Sequence, residues 1–190
     1  MRLHRFAAFC LAVLAFPVCA AAQPDTAARL EAQRQAMARL SFMDGTWRGP
    51  AWAELPGGRR ELIQTERVGP FLGGAVRVVE GRGYEADGRI GFNALGVISF
   101  EPAAGAFSIR TFAQGREGAY PLTLIEGGVV WEIPIGPGMV IRHTATIGNG
   151  RWHEISDLIA EGRPPQRVAE LDLRRLGDSD WPAGGAVPMR

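Results

Sequence analysis

The sequence predicts an all-β protein, an up-and-down antiparallel β-barrel of about ten strands preceded by one short N-terminal helix. Three observations carry this reading. From about residue 45 onward, glycine-rich turns punctuate the chain roughly every 8 to 12 residues. The segments between them alternate apolar and polar side chains, as half-buried strands do. The connections are also too short for crossover helices, so neighbours in sequence become antiparallel neighbours in space. Closing such a sheet on itself removes the exposed edges that an open one would have to defend.

The 190 residues divide into 1–22, a signal peptide; 23–44, a helical arm; 45–176, the barrel; and 177–190, an irregular tail. In the first segment Arg2, His4 and Arg5 precede an apolar stretch from Phe6 to Val18, and small residues follow around Ala20 and Ala22. That apolar stretch falls short of the roughly 20 residues a membrane helix needs. A periplasmic or secreted location is therefore expected, with no membrane span. Cys10 and Cys19 both lie in the leader, so the mature chain carries no thiol. Val18 stands where lipoprotein processing needs a small residue, which argues against a lipid anchor on Cys19.

All 21 basic residues are arginine, and without Arg2 and Arg5 the remaining 19 face 20 acidic residues. A nearly neutral chain with no basic block does not suit phosphate tracking on nucleic acid or an anionic membrane.

Each element has its own signal. Pro24 and Asp25 open a helix, and Leu30, Met37 and Leu40 recur at helical spacing, which predicts an amphipathic helix lying across one barrel end. Strands are expected over 46–54, 61–68, 74–82, 91–100, 106–113, 117–125, 129–135, 139–147, 151–159 and 166–175. The tail from Gly177 is rich in Gly, Pro and Asp, with Trp181 able to tack it to the wall.

The hairpin at Asn149 and Gly150 is the best specified, because a type I′ turn needs positive φ at both central positions. It pairs Ile147 with Trp152, Ala145 with Glu154, His143 with Ser156 and Ile141 with Leu158 on one face. The other face pairs Thr146 with His153 and Arg142 with Asp157, the latter expected as a solvated ion pair. A one-residue slip would set Asp157 against Ile141, so this register is preferred. The inner wall then carries Met139, Ile141, Ile147, Trp152 and Leu158, with His143, Glu154 and Ser156 among them. Polar groups on an apolar wall must bond to each other, to water or to a ligand. His143, Glu154, Ser156 and Trp152 are accordingly the candidate ligand-binding residues. In the last strand Ala169, Leu171, Leu173 and Arg175 share the inner face, and Arg175 is expected to cover Trp47 in a structural cation–π contact.

Several of these segments together carry a resemblance: the leader, the short helix, Leu40 to Gly49 (LSFMDGTWRG), Phe71 to Gly74 (FLGG) and a last strand ending Leu173, Arg174, Arg175. Over residues 40–176 the chain resembles an uncharacterised bacterial family of secreted, lipocalin-like (calycin) domains, which implies a barrel of this kind and no established activity. It also resembles, more distantly, nitrobindin, which shares Gly-Thr-Trp-Arg-Gly at its first strand and holds haem through a histidine of its last strand. Aligning that protein's Pro-x-x-x-His pattern on Pro164 places Val168 at the ligand position, and no histidine follows His153. No haem or other cofactor is therefore expected.

Catalytic and metal chemistry is thinly represented. The mature chain offers His143 and His153 on opposite faces and no cysteine, which is a poor metal-ligand set. No zinc-protease, P-loop, dinucleotide or nucleophile-elbow motif occurs. The expected function is a secreted or periplasmic barrel binding a small, mostly apolar molecule, and not an enzyme. One alternative is a cell-envelope structural or interaction protein with a filled barrel, acting through its loops, its helix or Trp181. Another is an esterase-type hydrolase using His143, Ser156 and Glu154, although a mid-strand serine has no free backbone N–H groups for an oxyanion hole. The sequence leaves oligomeric state open.

Overall fold

The structure, a computed structural model, describes residues 25–182; the expected leader, with both cysteines, and the tail beyond 182 lie outside them. One helix, α1 (Thr26–Ala38), and a 3-10 turn (Ser41–Met43) lead into ten strands. These are β1 (Gly45–Leu55), β2 (Gly58–Phe71), β3 (Val76–Tyr84), β4 (Ile90–Glu101) and β5 (Ala106–Ala113), then β6 (Arg116–Ile125), β7 (Gly128–Gly136), β8 (Met139–Gly148), β9 (Arg151–Ala160) and β10 (Gln166–Gly177). Every strand pairs antiparallel with its sequence neighbours, and β1 pairs with β10 to close the barrel. The predicted meander is the observed topology.

Asn149 (φ 52°) and Gly150 (φ 72°) form the expected turn. The whole β8–β9 register follows from it, including Ile147 opposite Trp152, Ala145 opposite Glu154 and His143 opposite Ser156. Arg142 and Asp157 also face each other, but the expected ion pair is absent. Arg142 bonds Glu132 on β7 at 2.7 Å, and Asp157 takes Arg167 of β10 at 2.6 Å. An exposed arginine reaches several carboxylates, so register alone does not choose its partner.

One end of the barrel is plugged. Asp25 caps α1 by accepting the Ala27 N–H at 3.0 Å, and the helix directs Met37 into the barrel mouth, followed by Leu40 and Met43, all essentially inaccessible to solvent. These pack on Trp47, Val68, Ile98 and Leu173. Gly45 and Trp47 of the opening motif complete the plug. Gly45 has φ 135° and lies against the Gly177 carbonyl, where a Cβ would come within 2.8 Å. Trp47 donates its indole N–H to the Met43 carbonyl at 3.0 Å.

The plug is clamped by an arginine the sequence did not single out. Arg77 points inward from β3, is 4 % exposed, and grips the Asp44 carboxylate through Nε at 2.7 Å and Nη2 at 2.9 Å. Its Nη1 also donates to the Met37 carbonyl, tying helix, turn and wall together. Arg175 does not cover Trp47 as expected. Its guanidinium lies over Gly45, donates to the Asp44 carbonyl at 3.5 Å and pairs with Asp178 at 2.5 Å. The Trp47 ring instead meets Trp152 edge-on, with centroids 5.8 Å apart. Trp181 does tack the tail to β2, edge-on to Phe71 at 5.6 Å and under the Arg67 guanidinium.

Candidate functional site

Above the plug the barrel is hollow. A cavity of about 500 Å³ opens toward the β1–β2, β3–β4, β5–β6, β7–β8 and β9–β10 turns. Leu55, Ile90, Ile135 and Met139 sit at that rim, each more than a third exposed; Met139, expected on the inner wall, is one of them. Deeper down, the lining is predominantly apolar, with Ile98, Ile109, Leu122, Ile133 and Leu171 around the rings of Phe92, Trp131 and Trp152. A larger but shallow concavity of about 710 Å³ lies on the outer face of β4 to β6, between Leu95 and Phe112, and gathers none of this chemistry.

The β7–β8–β9 register assembles the expected polar group. Trp131 faces His143 across the β7–β8 ladder, and their rings stack with centroids 4.7 Å apart and planes 8° from parallel. From the other side, Ser156 Oγ lies 2.9 Å from His143 Nδ1. Glu154, two residues along the same face, places Oε1 at 3.7 Å from that nitrogen and accepts the Trp152 indole N–H on Oε2 at 3.2 Å. The four residues expected at the site are thus contiguous on one wall. His153 is turned outward and meets Glu170 at 2.8 Å.

This geometry is not a nucleophilic triad. Ser156 and Glu154 both approach Nδ1, whereas general-base relay needs the serine on one ring nitrogen and the carboxylate on the other. Nothing then drives a proton from the serine through the ring. Among the described residues, no group of three or more His, Cys, Asp or Glu side chains is arranged to hold a metal ion.

A second polar group lines the cavity, and sequence reasoning missed it. Gln64 and Glu66 point inward from β2, with Gln64 Nε2 donating to Glu66 Oε1 at 2.7 Å. Their partners across the β2–β3 ladder are Gly83 and Gly81. Those glycines leave the space the two side chains occupy, since a Cβ on Gly81 would sit 2.7 Å from Glu66 Oε1 and one on Gly83 3.0 Å from Gln64 Oε1. The available signal was this pair of glycines, alternating with Glu80 and Arg82 on β3. Burial raises the Glu66 carboxyl to about 8; the bond from Gln64 opposes the rise, and the negative charges of Glu154 and Glu80 add to it. At neutral pH Glu66 is mostly protonated.

No protein-family profile and no curated protein matches this chain. Among solved structures it is similar to the crystal structure of Rv2717c from M. tuberculosis, with a TM-score of 0.56 and 15% identity over 74% of this chain and 96% of that one. At that identity the likeness concerns the barrel fold alone and leaves the lipocalin-like family expected from the sequence unassigned. Val168, at the position of nitrobindin's haem ligand, is the extra residue of a β-bulge between Arg167 and Ala169 and does not line the cavity. The residue there offers no ligating atom for haem. Among the described residues, no helix is long and apolar enough to cross a membrane.

Proposed function

We propose that this protein is a binding barrel for a small, mostly apolar molecule, working in the periplasm or outside the cell once its leader is removed. The observation that carries the reading is the cavity itself, a space of about 500 Å³ with apolar walls and a few convergent polar groups. Small-molecule sites are built in this way, with apolar area for affinity and sparse polar atoms for orientation. A filled barrel, the alternative raised from sequence, would have side chains where this space lies. The leader supports the location, since its charged start, apolar stretch and small residues suit export.

Native mass spectrometry of the full chain purified from its own source tests the reading. The expected result is a bound species that organic extraction removes and that returns when the extract is added back. A mass equal to the bare chain in every preparation, together with no uptake from the extract, would overturn it.

A further inference from the structure

Resting on the reading of the cavity as a ligand site, we propose that its ligand carries a basic nitrogen: an apolar amine whose ammonium group is received between Glu66 and Glu154 with its hydrocarbon body along Trp131, Phe92 and Ile109. Five observations converge on that class.

The first is the sign of the charges that line the space. Ionisable side chains on its lining are Arg60, Glu66, His143, Glu154 and Glu170. Arg60 stands at the rim, nearly half exposed and paired with Glu85 at 3.2 Å. Glu170 is engaged by His153 and Arg167. Arg77 lies below the floor and is committed to Asp44. In the interior proper, Glu66 and Glu154 therefore face only His143, and no guanidinium is placed to receive a carboxylate or phosphate. An anionic ligand would meet Glu154 unscreened.

The second is the kind of polar atom left available. Gln64 is 4 % exposed, and its Oε1 takes no hydrogen bond from any described residue. Glu66 Oε2 is likewise free of one among the described residues. Glu154 Oε1 is too far from His143 Nδ1, at 3.7 Å, to be bonded by it. Gln64 Oε1 and Glu154 Oε1 are acceptors, Glu66 Oε2 becomes one when its carboxyl gives up its proton, and a primary ammonium brings three donors.

The third is placement. Gly81 and Gly83 leave the space that the Gln64 and Glu66 side chains fill, which seats both polar groups on the inner wall. The fourth is aromatic: Trp131, one face of which is stacked on His143, and Phe92 both line the space, and aromatic rings suit both a hydrocarbon chain and a nearby cation. The fifth is the response of Glu66 to charge. Its proton is retained in the empty cavity because burial and Glu154 disfavour a second negative charge. A cation arriving beside it reverses that balance, so the proton leaves to solvent as the ammonium settles.

The test uses the full chain, shown by its native mass to be free of bound molecules, and three probes of equal length: decylamine, decanol and decanoate. Quenching of tryptophan fluorescence reports binding, since Trp131 and Trp152 line the space. The expected order is amine, then alcohol, then carboxylate, with the amine about tenfold or more tighter than the alcohol. Glu66→Gln and Glu154→Gln should each cost the amine about tenfold and leave the alcohol nearly unchanged. Glu132→Gln, on the outer face, should change neither. Decanol or decanoate binding as tightly as decylamine overturns the amine assignment and leaves the binding barrel standing. An amine affinity unaffected in the Glu66→Gln, Glu154→Gln double variant does the same. No binding of any of the three overturns the amine assignment; the separate test with natural extract decides whether the barrel binds at all. The wild-type series settles the matter even where a variant fails to fold.

Discussion

The raised carboxyl of Glu66 makes folding stability fall as pH rises, and Glu66→Gln isolates that effect. In the unfolded chain this group titrates near its ordinary 4.5, and in the folded barrel near 8. Below 4.5 both states hold the proton and no stability difference arises. Between 4.5 and 8 the folded state holds it while the unfolded state releases it, so stability declines with pH. At about 1.4 kcal/mol for each pH unit, a window of about 3.5 units corresponds to about 5 kcal/mol. Rotation of the carboxylate toward the open mouth relieves part of this, so a loss of about 2 to 5 kcal/mol is expected. Glutamine has the same shape, carries no titrating proton and still accepts from Gln64 on Oε1. Urea denaturation of both proteins at half-unit steps from pH 4.5 to 9 gives the difference directly. The variant should match the wild type within about 1 kcal/mol at pH 5 and exceed it by about 2 to 5 at pH 8.5. A difference that stays constant across the range would refute the assignment of Glu66 as an acid held neutral by loss of its water.

Other perturbations test the frame around the site. Arg77→Met should destabilise the fold by about 3 to 5 kcal/mol in denaturant titrations, because it leaves the Asp44 carboxylate and the Met37 carbonyl without their partner. Gly49→Ala should prevent soluble expression or cost more than about 3 kcal/mol, since its Cβ would fall 2.0 Å from the Asp172 carbonyl oxygen and only separation of β1 from β10 could relieve it. Gly81→Ala meets a movable carboxylate rather than backbone, so a cost of about 1 to 3 kcal/mol in thermal unfolding is expected, with Glu66 displaced into the cavity. Ser156→Ala should leave ester hydrolysis at the wild-type background, because Ser156 and Glu154 share one ring nitrogen of His143. It should lower stability by about 1 kcal/mol through the lost hydrogen bond.

The fold was legible wherever local chemistry is strict. Asn149 and Gly150 admit one tight turn, and that turn settles the register that unites His143, Glu154, Ser156 and Trp152. The long helix-to-barrel clamp was not legible, because an isolated Arg77 in a strand looks like any solvated arginine until Asp44 and Met37 are brought beneath it. Gln64 and Glu66 were hidden for a related reason. β2 carries charges on both faces, with Glu61 and Arg67 outside and Glu66 inside, so alternation there does not mark which side is buried. Partner choice failed at the surface. Arg142 and Arg175 have several carboxylates or carbonyls within reach, and flexible side chains in water are not ranked by sequence spacing.

The seam where β1 meets β10 also bears on how the molecule is made. Thr46 and Gly177 touch across 131 positions of chain, and no earlier strand can stand in for the last one. A ribosome must release nearly the whole polypeptide before the wall can shut. Until then β1 and β9 each present an unpaired backbone, and Trp47 and Trp152 lack the Leu173 that separates them from water. Shortened products ending before β10 are therefore sticky, and a holding chaperone would find its footing on those two strands.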